Sequence, residues 1–235
     1  MSENLLLDDP TIRPSYKKDD GLDDPTILIR DARKEDDCLL CEYTQGDRYF
    51  RDVLKLDINV DNNRIFESEH FVFMHDIHPI IPGHCLLMSK AHFRAFALVP
   101  LAYDLEFKRM LQMSIAFIRE QFGTPIIFEH GSMSDEPGSG VCINHAHLHL
   151  IPTKADLTDE IQHYSASPLK NQKTDILPAL RDVKDHYLFY QNTDGHSFVI
   201  REPKLPIPQQ FIRRVIANQH PSRAWDWKQA LYLEA

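Results

Sequence analysis

The sequence has little of what marks several protein classes. It has 4 cysteines in 235 residues, and 26 Lys and Arg against 35 Asp and Glu, for a formal net charge of −9. Without a basic surplus, broad sequence-independent nucleic-acid binding is excluded, because such binding needs a positive surface. A small anion is still admissible, since a local cluster of donors can hold a phosphate on an acidic protein. No apolar run approaches the roughly 18 residues of a membrane span. The opening "MSENLLLDDPTIRP" lacks a basic segment leading into an apolar one, so it does not read as a secretory signal. The expectation is a soluble, cytoplasmic protein with no membrane contact. A hydrophobic fraction of 43% with 10% aromatics is enough for a real core, built as one large domain or as a core with extensions.

The four cysteines are Cys38, Cys41, Cys85 and Cys142. In an intracellular chain a C-x-x-C pair is a metal or redox site before it is a structural disulfide. The redox version opens a helix after a strand, whereas "DDCLLCEYTQGD" follows a charged segment, so a metal site is preferred.

Residues 1–36 are acidic, Pro-bearing and poor in aromatics, and read as an extended arm. They repeat "LDDPTI" at 7–12 and 22–27, and two copies do not make a solenoid. From Arg64, "RIFESEHFVFMHDI" and "GHCLLMSKAH" are apolar strand-like runs joined through "HPIIPG". "LAYDLEFKRMLQMSIAFIREQF" spaces Leu105, Met110, Leu111, Ile115 and Ile118 as one helical face, ended by Gly123 and Pro125. "PIIFEHG" and "VCINHAHLHLIP" are further strands around the polar loop "SMSDEPGSG". The class is α+β: a mainly antiparallel sheet, one long helix and an appended C-terminal lobe. In that lobe "HYLFYQNTDGHSFVIRE" reads as a hairpin turning at 192–195. "PQQFIRRVIANQH" reads as a helix burying Phe211, Ile212, Val215 and Ile216, with Arg213 and Arg214 on or beside its polar face.

The chemistry concentrates in "NHAHLHL", where His145, His147 and His149 alternate with Ala146 and Leu148; nine of the 13 histidines lie between His70 and His149. On a strand all three imidazoles would share one face. A single ion held by all three fails on distance. The outer pair would stand about 13 Å apart, while zinc–nitrogen bonds are about 2.0–2.1 Å. The run is better divided. Cys38 and Cys41 need two more ligands to close a tetrahedral structural site, and His145 and His92 are candidates. His147 and His149 are then free for chemistry. A neutral imidazole can attack phosphorus while a protonated neighbour donates to phosphate oxygens.

"HAHLHLIP" resembles the H-x-H-x-H-x-x signature of the histidine-triad (HIT) superfamily of nucleotide hydrolases and transferases. "FESEHFVFMHDIHPIIPGHCLLMSKAH" resembles that family's stretch from its first paired strands to a zinc-ligand histidine, with eight residues from His84 to His92. "CLLC" resembles the C-x-x-C of its zinc-bearing members. The likeness spans roughly residues 38–155. It implies a HIT domain over 37–155 between the arm (1–36) and a C-terminal extension packed on the core (156–235). It also implies His147 as nucleophile and His149 as phosphate contact, with a structural Zn2+ on Cys38, Cys41, His92 and His145. Asp76 would meet the ribose hydroxyls, Ile77 the base and His84 the phosphates, in a homodimer whose partner is a small-molecule nucleotide. A third histidine, rather than glutamine, points to the hydrolase branches.

The pattern departs at Glu129, which stands where many relatives have a phosphate-contacting Asn; a carboxylate there repels phosphate unless protonated or paired. Cys142 replaces a frequent Ser at another substrate-binding position. The loop from Gly131 to Val141 is long, about twenty residues separate Cys41 from the first matched strand, and the extension is expected to border the nucleotide site, with Arg213, Arg214 or Lys170 as contacts. Hydrolysis or nucleotidyl transfer at the α-phosphate through a covalent nucleotidyl-histidine is the preferred reading. A phosphorolytic transferase and a nucleotide-binding sensor without turnover are the alternatives.

Overall fold

The structure, a computed structural model, describes residues 13–14, 38–45, 63–133, 143–171, 175–201, 203–219 and 225–226. Both "LDDPTI" copies lie outside those residues, as does Cys142. Eight strands form one antiparallel sheet: β1 (Arg13–Pro14), β2 (Arg64–Glu67), β3 (Phe71–His75), β4 (Cys85–Ser89), β5 (Ile126–Gly131), β6 (His147–Ile151), β7 (Tyr187–Gln191) and β8 (Ser197–Ile200). Their order is β1-β2-β3-β4-β6-β5-β7-β8, and every pairing is antiparallel. With helices α1 (Leu39–Gln45), α2 (Asp104–Phe122), α3 (Thr158–Gln162), α4 (Ile176–Ala179) and α5 (Phe211–Asn218), the class is α+β.

The stretch read as one strand from Arg64 is a hairpin. β2 and β3 turn through Ser68 to His70, where the Glu106 carboxylate accepts from the Ser68 hydroxyl and from the His70 backbone N–H at 2.8 Å. The long helix turns inward most of the face that the spacing suggests, with Met110 and Ile118 buried and Leu111 and Ile115 packed against the core, but Leu105 is not part of it. Phe107, Met110, Ser114 and Ile118 go inward, while Leu105 is 63% exposed. Phe107 goes inward instead of Leu105 because it packs against Phe71 and Phe96, and a buried Phe contributes about 1.5–3 kcal/mol.

The inner strands are covered on both sides. Phe71, Phe73, Cys85, Leu87, Leu148, Leu150 and Ile127 point to α2. Val72, Met74, Leu86 and Met88 point to Leu40 and Tyr43 of α1. On that second face Ile126, Phe128 and Ile151 meet Ile212 and Ile216 of α5. The β7–β8 hairpin turns at 192–196, where the Asn192 side-chain carbonyl accepts from the backbone N–H of Asp194 and His196. Because β7 pairs with β5, the C-terminal residues continue the same sheet.

Candidate functional site

β6 starts later than the sequence suggests. His145 lies in a bend before it, so the three histidines are not equivalent members of one strand. His147 and His149 sit in register with Met88 and Leu86, on the face covered by α1 and α5, while Leu148 and Leu150 plug into the α2 side. His145 instead turns toward α1. Cys38 Sγ lies 3.5 Å and Cys41 Sγ 3.4 Å from its Nδ1, and Cys41 Sγ is 3.1 Å from His92 Nδ1.

These four ligand atoms all lie within 4.8 Å of one another. Bonds of about 2.3 Å to sulfur and 2.0–2.1 Å to nitrogen, at tetrahedral angles, separate neighbouring ligands by about 3.5 Å. The cluster therefore fits a four-coordinate metal ion and could hold one. His145 Nε2–H donates to the Ser89 carbonyl at 2.8 Å, which turns Nδ1 toward the thiols in the way outer-shell partners orient metal-bound imidazoles. The Cys41 thiol, ahead of His145 and His92, holds the Cys38 thiol far below its usual range.

His147 uses its Nδ1–H on the His145 carbonyl at 2.5 Å. Its lone pair is then on Nε2, and burial, with His149 next, depresses its pKa to about 3. The His149 ring stands 5.0 Å from it and stacks on Phe128 at 4.6 Å. His149 is also held below its usual value, chiefly by burial. Both shifts favour the neutral imidazole.

A pocket opens over these rings. Its floor is Leu86, Phe128, His147, His149 and Leu188; Leu39 and Leu40 of α1 and Phe211 to Arg213 of α5 form its walls, and Asp76, Ile77 and His78 its rim. Apolar walls with a few convergent polar groups are the usual make-up of a small-ligand site.

Residues 58–156 match the family model described as HIT domain. They form a HIT domain. The matched stretch is less than half of the chain. Solved structures that it resembles include a member of the HIT family from Bacillus subtilis (20% identity, 51% of this chain and 75% of that one, TM-score 0.39). A Zn-bound histidine triad family protein from Mycobacterium smegmatis is 23% identical over 51% of this chain and 78% of that one (TM-score 0.37). The Plasmodium falciparum diadenosine triphosphate hydrolase, in complex with Cyclomarin A, is 17% identical over 40% of this chain and 63% of that one (TM-score 0.34). No curated protein matches the chain.

Cys38 and Cys41, which lie before the matched stretch, come together with His92 and His145 inside it, and Asp76, Ile77, His147 and His149 meet at the pocket. His84 is fully buried behind it, 2.9 Å from His149. Glu129 does not join them. Strand alternation turns it to the α2 side, where it accepts from the Phe96 N–H, the Tyr187 hydroxyl and the His147 backbone N–H. The expected substrate contact at Glu129 is therefore corrected to a buried carboxyl braced inside the core, which burial pushes up to about 8. Asp76 is also more committed than a ribose contact would be: Oδ1 accepts from the His78 N–H at 2.7 Å and Oδ2 from Arg213 at 3.2 Å.

Of the contacts expected from the extension, Arg213 is 4% exposed, not on a polar face, Arg214 lies over the Trp225 ring and Lys170 is exposed to solvent. The sequence reading missed Leu39, Phe128, Leu188 and Phe211 as pocket residues. Strand parity from His149 would have found Phe128, but nothing local marks Leu39 or Phe211.

Proposed function

We propose that this protein is a nucleotide hydrolase or nucleotidyl transferase that works through a covalent intermediate on His147. The carrying observation is the His145 carbonyl on His147 Nδ1–H, which leaves the Nε2 lone pair of a neutral ring for attack beside an apolar pocket. Nε2 attacks the α-phosphorus of a dinucleoside polyphosphate, nucleoside polyphosphate or nucleoside phosphoramidate. The bond from phosphorus to the leaving group breaks, and that group departs with the bonding pair. The ring then carries the nucleotidyl group and keeps its Nδ1–H, so its positive charge faces the His145 carbonyl oxygen. Water adds to phosphorus, the P–N bond breaks, a proton goes to solvent and His147 is neutral again. His149 donates to the non-bridging oxygens as charge grows on them. Ile77 and Phe128 would flank the base.

Cys38, Cys41, His92 and His145 would hold one structural Zn2+, which supplies no open coordination position and so fastens α1 to the sheet rather than taking part in chemistry. We assign 37–155 as the HIT domain with the extension from 156 closing its pocket, and a homodimer as the assembly.

Acid-free denaturation during turnover followed by intact-mass measurement tests the mechanism. A nucleotidyl adduct on the wild type, absent from His147→Ala, is expected. No adduct together with full activity of His147→Ala would overturn it.

A further inference from the structure

Asp76, His84, His149 and Arg213 form a buried group that joins the HIT domain to the C-terminal extension. Arg213, on α5, places Nη1 3.2 Å from Asp76 Oδ2 and Nη2 2.8 Å from the His78 carbonyl, while Nε donates to the Trp225 carbonyl at 3.1 Å. The guanidinium is thus used at all three nitrogens. Asp76 Oδ2 also lies 3.2 Å from His84 Nε2 and 3.6 Å from His149 Nδ1.

The proton positions follow from these contacts. The Ile80 backbone N–H donates to His84 Nδ1 at 3.3 Å, so the His84 proton sits on Nε2. That Nε2–H faces His149 Nδ1 at 2.9 Å. Two N–H groups cannot point at each other across such a distance, so His149 Nδ1 is a bare acceptor and its own proton is on Nε2. His149 therefore offers the pocket a donor while uncharged. This arrangement requires that neither imidazole take a second proton, although a buried carboxylate stands beside both. A buried carboxylate otherwise draws charge onto a neighbouring histidine.

We infer that Arg213 is a positioning residue: by supplying the counter-charge of Asp76 it keeps His84 and His149 neutral, and so holds His149 in the tautomer that turns Nε2–H toward a bound phosphate. The phosphate end of that statement rests on the nucleotide reading above; the charge and tautomer do not. Asp76, His84 and His149 would also suit a metal ion by their spacing, but the guanidinium already occupies the cation's place beside Asp76. The charged and titratable groups facing His149 are Asp76, His84 and Arg213, with His147 beside it on β6; Phe128 covers the ring on the β5 side.

The full chain labelled with 15N-histidine gives the test, with His149 assigned by its loss in His149→Gln. At pH 7 the wild type should show a bare Nδ1 and a protonated Nε2. Arg213→Gln should raise the protonation midpoint of His149 or His84 by about one pH unit or more, and Arg213→Lys should stay close to the wild type. Asp76→Asn should move the His149 midpoint downward, which decides the matter if Arg213→Gln fails to fold. An unchanged spectrum and midpoint in folded Arg213→Gln, a disturbance by Arg213→Lys as large as by Arg213→Gln, or an unchanged or raised midpoint in Asp76→Asn overturns the inference. Absence of turnover on nucleotides would sink the functional reading without altering these spectra.

Discussion

His145 holds His147 through its backbone and the thiol cluster through its side chain. Its carbonyl oxygen accepts the His147 Nδ1–H at 2.5 Å, while its Nδ1 lies within 3.5 Å of both Cys38 and Cys41 sulfurs. The proposed metal site and nucleophile are thus coupled through one residue, and disturbing the first should be felt at the second.

Cys38→Ser should abolish stoichiometric zinc, which elemental analysis of the purified chain would place at one per chain in the wild type. Stability in denaturant should drop by about 4 kcal/mol or more, as expected for a lost structural metal. Because the His145 carbonyl would lose its anchorage, any residual activity should be low in kcat with KM less affected. A metal-free wild type of undiminished stability would contradict this.

At the triad, His147→Ala should reduce nucleotide turnover to the uncatalysed level. His149→Gln keeps a donor but not its position. Its kcat should fall by about 10²–10³-fold, the usual effect of removing one donor to developing charge. Equal, mild effects of the two substitutions would argue against their separate roles.

Acid should destabilise the fold from a pH unusually close to neutral. His84 and His149 are both held below their ordinary value by burial. Between their folded values and about 6.5 the unfolded chain binds more protons, so stability is full above about 6.5 and falls as pH drops. Each histidine contributes a slope of about 1.4 kcal/mol per pH unit at most. Urea titrations from pH 8 to pH 5 would measure it; a flat profile in Glu129→Gln, where no opposing carboxyl titrates, would refute it.

Glu129 acts in the opposite direction. Its carboxyl is raised to about 8 by burial, so the fold keeps a proton that the unfolded chain has released above its ordinary carboxylate value. Stability from this group is present at low pH and lost as pH rises toward 8. Glu129→Gln should therefore gain on the wild type between pH 6.5 and 8, with KM for nucleotide unchanged, since residue 129 faces the core. A large rise in KM would restore Glu129 to the substrate.

Behind Glu129, Gly131 leaves room for Tyr187. A Cβ there would stand 2.3 Å from the Tyr187 ring. Gly131→Ala should cost about 1–3 kcal/mol, and the cost should shrink in a Tyr187→Ala background, as a double-mutant cycle would show. Equal costs in both backgrounds would place the strain elsewhere.

Much of the architecture was legible because it depends on periodicity and turn chemistry. The β7–β8 turn was visible in "QNTDGH", since Asn192 can bind the backbone N–H groups ahead of it and Gly195 accepts φ +79°. The helical stretch of α2 was visible with most of its inward face, Met110 and Ile118 included, but not Phe107, which gains by meeting Phe71 and Phe96 from distant parts of the chain. Glu129 was misplaced because likeness to a motif does not say which side chain of a strand looks into the pocket.

The sequence by itself determined which groups are present and at what local spacing: two thiols three residues apart, imidazoles at alternate positions, and an antiparallel α+β pattern. Those features are set by bond geometry within a few residues. Only the tertiary structure decided that His145 leaves the strand, that Glu129 belongs to the core, and that Arg213 lies against Asp76 across 137 residues. An arginine in an amphipathic helix is locally a surface residue, and it becomes a buried one only where the fold brings a carboxylate to meet it.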